Sequence, residues 1–202
     1  MNPLTHPRKP SLGFAPPKTR AVRAWNALLL AIAVLAGAAI PSAAADSRAN
    51  PPEEMLRNGD FSQGEAHWES EQANGATAVV ACVKDGPAGR AALRFQVLTV
   101  ADQTWRLQWS QKQITIAKGR PYVLTFWAKA KRTGTINVTC MQNHAPWDHS
   151  TQAKVELGVE WRQVSFPFLG AWDDDNARIS FTNLGTEVGQ EYWFAACSLQ
   201  RR

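Results

Sequence analysis

Apolar residues recur mostly at every second position from residue 77 to the end of the chain, which is the pattern of β-strands with one buried face. No segment after residue 45 keeps a helical periodicity over ten residues. Turn sequences such as "KDGPAG", "AKGRP" and "NLGTEVG" separate the runs. The pattern predicts these strand segments: 77–83, 92–97, 105–109, 113–116, 122–130, 135–141, 161–168, 177–181 and 192–199.

Eight or nine short strands predict an all-β fold, an antiparallel β-sandwich in which each strand gives one face to the core. Residue parity then assigns the faces. In "TINVTCM", Ile136 and Val138 face the core and Asn137 faces outward, and in "ARISFT", Arg178 and Thr182 face outward. A solvated sheet face is the plain alternative for these polar positions.

The first 45 residues have the features of an export signal. They contain no Asp or Glu, carry five basic residues, and include an apolar run followed by the small-residue site "PSAAAD". The run is shorter than the roughly 20 apolar residues of a membrane span. We expect a signal peptide over 1–45, a linker over 46–55 and one domain over 56–202, in a secreted or periplasmic protein. An uncleaved signal anchor is the alternative.

The positive charge of the chain lies in this leader. Of 22 Lys and Arg residues, 17 lie beyond residue 45, where all 17 Asp and Glu residues also lie. A formally neutral domain lacks the clustered positive charge of a nucleic-acid footprint. We therefore expect no nucleic-acid partner, and no membrane partner once the signal is cleaved.

The three cysteines, Cys82, Cys140 and Cys197, are far apart in sequence and form no CxxC pair, which argues against zinc. One disulfide with one remaining thiol is the expectation for an exported chain. The spacing leaves open which two cysteines would pair.

Eight tryptophans lie beyond residue 45, more than a neutral domain of this size needs for its core. Three of them fall in the centres of predicted strands and are expected in the core: Trp109, Trp161 and Trp193. Three others lie in or beside loops and are candidates for exposure: Trp105, Trp147 and Trp172. An exposed indole beside amides and hydroxyls suits a sugar ring, whose C–H face stacks on it.

Several fragments together resemble the CenC-like carbohydrate-binding modules of the family 4/9 type, which are appended to bacterial cellulases, xylanases and β-glucanases. The opening "LRNGDFSQGEAHW" is similar to the N-G-D/G-F-E-x-G...W start of that family. The stretch "QITIAKGRPYVLTFWAKAK" is similar to its central strand pair, and "WRQVSFPF", "ARISFTNLG" and "YWFAACSL" follow in the same order. The match spans nearly the whole predicted domain.

The resemblance implies a galactose-binding-like jelly roll whose concave sheet binds a single polysaccharide chain, such as β-glucan, cellulose or xylan, without catalysis. It also implies a separately secreted glycoside hydrolase as a candidate partner. The segment "QNHAPW" resembles a Q-N-x-A-P-aromatic segment of cellulose-binding members. Carried over residue by residue, the resemblance places six side chains at the cleft: Trp105, Asn137, Asn143, Trp147, Arg178 and Thr182.

Family members often hold a structural calcium ion with carboxylates of the opening segment and of the last strand. Here Ser62 stands at the usual acidic position, and Ala195 and Ala196 replace paired aspartates. Hard cations prefer several oxygen ligands. Asp60 and backbone carbonyls remain, so we expect no cofactor beyond a weak structural calcium site.

Two other functions compete with glycan binding. A glycosidase needs two carboxylates across a cleft, but none of the acidic residues lies in a recognisable catalytic motif, and His144 and His149 are interpreted as plain loop histidines. An exported structural or adhesive envelope protein that keeps the jelly roll without a glycan site is the stronger alternative. The pairing of Trp105 and Trp147 with outward polar residues favours the glycan-binding hypothesis.

Overall fold

The computed structural model describes residues 51–202, and its regular secondary structure is almost entirely β-strand. The predicted signal peptide, its cleavage site and the first half of the predicted linker lie outside the described residues. Within 51–202 no helix is long and apolar enough to cross a membrane. The strands are β1 (Glu53–Glu54), β2 (Glu69–Gln72), β3 (Thr77–Val83), β4 (Ala92–Thr99), β5 (Leu107–Ile116), β6 (Pro121–Ala130), β7 (Gly134–Gln142), β8 (His149–Leu157), β9 (Arg162–Leu169), β10 (Asp174–Thr182) and β11 (Glu191–Arg201).

The strands form two sheets whose paired strands are all antiparallel. One sheet has the order β3-β4-β11-β6-β9, with β1 also paired to β11, and the other has the order β2-β5-β10-β7-β8. Their inner faces form a single apolar core. The predicted all-β sandwich is confirmed, with eleven strands instead of eight or nine.

Three strands were not predicted from the sequence, because their apolar and polar residues alternate little. β2 reads "ESEQ" and contains no apolar residue, and β8 buries only Val155 and Leu157 at its end. Both are edge strands of the five-stranded sheet. The third, β1, corrects the linker prediction, since Glu53 and Glu54 pair with the end of β11.

A β-bulge explains why two predicted runs are one strand, β5. Trp109 and Gln111 face inward before the bulge, and Ile114 and Ile116 face inward after it. Gln113 takes a φ of 59° at the point where the register shifts. Because the extra residue reverses the parity, the sequence pattern looks like two strands that are out of phase.

Stacked aromatic rings fill the centre of the core. Trp68 stacks on Trp109 with ring centroids 6.0 Å apart, and Phe181 stacks on Phe194 at 4.3 Å. Pairs of this kind contribute about 0.5–1.5 kcal/mol beyond their buried area. They join β5 and β10 of one sheet to β11 of the other, which fixes the backbone beneath the outer face of the five-stranded sheet.

The core prediction is right for Trp109, which is fully buried, and wrong for Trp161 and Trp193, which are only half-buried. Both indoles lie on the outer face of the six-stranded sheet, against Lys129. The ammonium of Lys129 is 5.1 Å from the Trp161 ring and 4.9 Å from the Trp193 ring. Trp161 precedes β9, which begins at Arg162, so it does not lie at a strand centre, and Trp193 lies on the outer face of β11.

The three cysteines form no disulfide, contrary to the expectation. Cys140 on β7 and Cys197 on β11 are buried, and Cys82 on β3 is exposed. Burial raises the pKa of the Cys140 thiol to about 12, with a smaller contribution from the charge of Asp174. The buried thiols behave as small apolar core groups.

Candidate functional site

A pocket of about 650 Å³ lies on the outer face of the five-stranded sheet. It contains side chains from β2, β5, β7, β8 and β10 and from three flanking loops. All six side chains that the sequence analysis assigned to a cleft line this pocket: Trp105, Asn137, Asn143, Trp147, Arg178 and Thr182. We call this pocket the cleft.

The centre of the sheet beneath the cleft is built from small hydroxyl side chains. Ser110, Ser180 and Thr139 are cross-strand neighbours on β5, β10 and β7. The hydroxyls of Ser110 and Ser180 are 2.9 Å apart and share a hydrogen bond. Thr182 lies on this outer face, as parity predicts, and so does Ser180, yet both side chains are buried.

Two exposed tryptophans flank the cleft. Trp105 lies in the 3-10 turn Thr104–Arg106 before β5, and Trp147 lies in the loop between β7 and β8. Their exposed fractions are 44% and 49%. Trp172, the third candidate for exposure, is half-buried, packs against the core and does not line the cleft. The prediction of exposure is therefore wrong for Trp172.

Several polar atoms of the cleft have no hydrogen-bond partner. In residues 51–202, seven buried side-chain nitrogen or oxygen atoms are unpartnered, and four of them belong to residues that line the cleft. Leaving a buried polar atom unpaired costs roughly 1–3 kcal/mol. A ligand that offered partners would recover part of that cost. The four atoms are Asn137 Oδ1, Thr139 Oγ1, Thr182 Oγ1 and Arg178 Nε.

An ion-pair network closes one side of the cleft. Arg178 Nη1 donates to Glu71 Oε1 at 2.8 Å, and the ammonium of Lys112 lies 2.7 Å from Glu69 and 3.4 Å from Glu71. Desolvation lowers the pKa of Lys112, but the hydrogen bond to Glu69 and the nearby carboxylates raise it by more. Two acids balance two bases, so this wall has no net charge.

The loop that carries Trp147 is held at its base and along one side. The backbone N–H of Gln142 donates to Asp148 O at 2.9 Å, and the N–H of Asn143 donates to Asn176 O on β10 at 3.0 Å. Trp147 adopts a φ of 66° and donates its N–H to His144 O at 2.8 Å. The loop therefore presents Trp147 from a defined turn.

Sequence reasoning missed Glu71, Lys112 and Gln108, which also line the cleft. The interpretation of His149 as a plain loop histidine is wrong, because it begins β8 and lines the cleft as well. Parity offered a signal for Gln108, because Leu107 and Trp109 on either side are core residues. Glu71 gave none, since β2 has no apolar residue to reveal its inner face.

The resemblance implies a calcium position in the opening segment, where the carboxylate of Asp60 remains. Asp60 Oδ1 accepts the N–H and the hydroxyl of Ser62, and these bonds lower the pKa of Asp60. Arg90 and Ala196 line the same small pocket as Asp60. No group of three metal-ligating side chains occurs in the described part of the chain. One engaged carboxylate beside an arginine does not fit a strong calcium site.

An antiparallel two-sheet sandwich with an aromatic-flanked polar cleft on one sheet is the architecture of a β-sandwich binding module. The chain belongs to the CBM 4/9 family of carbohydrate binding domains, whose model matches residues 53–184. The resemblance inferred from the sequence is thereby confirmed.

Solved structures agree with this fold. A CBM4 structure is 27% identical with a TM-score of 0.62, covering 72% of this chain and 99% of that chain. The N-terminal cellulose-binding domain of Cellulomonas fimi β-1,4-glucanase C is 20% identical with a TM-score of 0.52, covering 67% and 88%. The second such domain of that enzyme is 16% identical with a TM-score of 0.57, covering 76% and 97%. No curated protein shows significant similarity to the chain.

Proposed function

We propose that the protein is a non-catalytic module that binds a polysaccharide chain in the cleft. The observation that carries this proposal is the pairing of two half-exposed indoles, Trp105 and Trp147, with four unpartnered polar atoms in one pocket. Indoles stack on the C–H faces of sugar rings, and the polar atoms bond the ring hydroxyls.

The mixture of unpartnered atoms favours hydroxyl groups as the ligand chemistry. Asn137 Oδ1 can only accept a hydrogen bond, Arg178 Nε can only donate one, and the threonine hydroxyls do both. A sugar hydroxyl donates and accepts at the same time, whereas a carboxylate only accepts. The balanced charges of the ion-pair network likewise favour a neutral glycan over an acidic one.

The carboxylates of the cleft support binding without hydrolysis. Glu71 is the one carboxylate that lines the cleft, and it is paired with both Arg178 and Lys112. Its neighbour in the ion-pair network, Glu69, does not line the cleft and is paired with Lys112. Glycosidases use two carboxyl groups across the scissile bond. A single ion-paired glutamate does not supply that pair.

β-Glucan, cellulose and xylan-like chains are the glycans we propose, because "QNHAPW" resembles a segment of cellulose-binding members and forms the loop that carries Trp147. We also propose that the mature protein begins at Asp46 and is secreted or periplasmic, where it works beside a separately secreted glycoside hydrolase. The mass of the exported protein tests the proposed start at Asp46, and copurification of hydrolase activity tests the proposed hydrolase partner.

Tryptophan fluorescence titration tests the proposed function. We expect a saturable change with cello-oligosaccharides, soluble β-glucan or xylan, and none with polygalacturonate at the same concentration of sugar. Binding of polygalacturonate alone would contradict the neutral-glycan assignment. If no member of a broad glycan panel binds, the structural or adhesive envelope protein becomes the better account.

A further inference from the structure

We propose that His144 is the positioning residue for Trp147, and that its protonated imidazole ties the Trp147 loop to Asp174 on β10. This inference rests on the proposed function in one respect: glycan affinity should fall as His144 loses its proton. The loop concerned comprises residues 143–148, between β7 and β8.

Both ring nitrogens of His144 face oxygen acceptors. Nε2 lies 3.0 Å from Asp174 Oδ2, and Nδ1 lies 2.8 Å from the carbonyl oxygen of Ala145. A neutral imidazole has one N–H, so one of these contacts would then bring two acceptors together. The imidazolium donates to both, which means that this arrangement selects the charged form.

Asp174 is a fixed anchor. Its side chain is only 3% exposed, and its Oδ1 accepts the N–H of Asn176 at 2.8 Å. β10 shifts its register against β5 between Asp174 and Ala177, which places Asp174 and Asn176 beside the loop. Asn143 bonds Asn176 as well, so two consecutive loop residues are joined to this irregular end of β10.

His144 reaches Trp147 through the backbone. The N–H of Trp147 donates to the carbonyl of His144 at 2.8 Å, which closes the turn that presents the indole. Releasing the His144 side chain therefore frees one end of this turn. Arg178, whose guanidinium carbon lies 5.8 Å from the Trp147 ring, remains as the other support of the indole.

The charges around His144 are mainly negative. Asp173, Asp174 and Asp175 line the same small pocket as His144, and residues 115–117 of β5 and the turn after it carry no charge. The next residue of that turn, Lys118, is basic and donates its backbone N–H to Asp173 Oδ1 at 2.9 Å. On the loop side, Asp148 and His149 are the nearest titratable groups in sequence. The aspartates stabilise the imidazolium, whereas a protonated His149 would oppose it.

The hydrogen bond to Ala145 O raises the pKa of His144 above 6.5; desolvation opposes this shift, and Asp174 and Asp175 reinforce it. A raised folded-state pKa means that the tie is complete below pH 6.5 and is lost as pH rises through the higher folded value. Glycan affinity should follow the same direction.

Glycan dissociation constants measured between about pH 5.5 and 8.5 test this role. The parent should weaken severalfold with rising pH, and His144→Gln should show a nearly flat profile close to the high-pH value of the parent. His67→Gln is the matched control, since His67 does not line the cleft, and it should keep the slope of the parent. A parent profile that is flat, or a slope that survives in His144→Gln, would overturn the proposal.

A readout without glycan separates this inference from the proposed function. In Asp174→Asn, proton NMR should show a lower His144 pKa, and the Trp147 amide should exchange severalfold faster at low pH, with an unchanged melting temperature. If these changes occur and no glycan binds, the anchor stands and the proposed function fails. If glycans bind but the His144 pKa and the Trp147 amide exchange are unchanged in Asp174→Asn, the proposed tie between His144 and Asp174 is wrong and the proposed function stands.

Discussion

Trp105 and Trp109 lie four residues apart and have opposite environments, since one is 44% exposed at the cleft and the other is fully buried. The change of environment follows from the start of β5 at Leu107, after which alternate side chains enter the core. At the scale of the residue, the same side chain therefore faces the cleft in one position and fills the core in the other.

We predict that Trp109→Ala lowers the free energy of unfolding by roughly 3–5 kcal/mol, because it opens a cavity beside Trp68 in the core. Trp105→Ala should change it by less than about 0.5 kcal/mol, as is usual at exposed sites. Urea denaturation of both variants measures the difference. Similar losses in the two variants would show that Trp105 is a structural residue.

The six assigned cleft residues could be found from the sequence because two independent signals point to this sheet face, and the two coincide on Asn137, Arg178 and Thr182. Parity turns Asn137, Arg178 and Thr182 outward, and the family-like segments carry Trp105 and Trp147. Exposure of an individual tryptophan was not predictable in the same way. It depends on which sheet face or loop contact each indole meets, as Trp161, Trp172 and Trp193 show.

At the scale of the element, the opening segment "LRNGDF" contacts β11 closely. The N–H of Cys197 donates to Gly59 O at 2.8 Å, and a Cβ on Gly59 would lie 1.8 Å from Cys197 O. Only a glycine allows the two backbones to approach this closely. The close packing of the opening segment on β11 therefore explains why the family-like motif has a glycine at position 59.

We predict that Gly59→Ala destabilises the domain by at least roughly 1–3 kcal/mol, since the clash is with backbone and cannot be relieved by a rotamer change. Gly158→Ala is the matched control, because a Cβ there meets no atom within 4 Å. Thermal melts of the two variants give the comparison. Equal melting temperatures would mean that the opening segment does not pack on β11 as described.

The strands predicted from the sequence were those with clear apolar alternation, and the ones missed were edges or bulged segments. The parity of inward residues reverses within β5 near Gln113 and within β11 near Ala196, which has a φ of 47°. A strict period of two cannot anticipate an inserted residue. Pairing partners and bulges arise from long-range contacts between the strands.

At the scale of the whole molecule, one shared core holds the two sheets together without a disulfide. The core joins both sheets, and the three cysteines remain free thiols. A tightly bound ion would add RT ln(1 + [L]/Kd), roughly 2.7 kcal/mol at a hundredfold excess over Kd.

We predict that calcium added after chelation shifts the melting temperature very little, since Asp60 is engaged with Ser62 and Arg90 lies in the same pocket. Differential scanning fluorimetry with and without chelator measures the shift, and magnesium serves as the control ion. A rise of many degrees with calcium alone would show that Asp60 and backbone oxygens suffice for a site.

The central claim is that the outer face of the five-stranded sheet binds a neutral glycan through its two exposed indoles. Affinity electrophoresis in gels containing β-glucan or xylan, run beside thermal melts, tests it most directly. Trp161→Ala is the control, because Trp161 is a half-buried indole against Lys129 on the opposite sheet.

We predict that Trp105→Ala and Trp147→Ala each weaken binding by roughly 5- to 150-fold, the loss of about 1–3 kcal/mol of stacking by analogy with bases on aromatic side chains, without lowering the melting temperature. Trp161→Ala should bind like the parent. Undiminished binding in both cleft variants, or a loss confined to Trp161→Ala, would contradict the account.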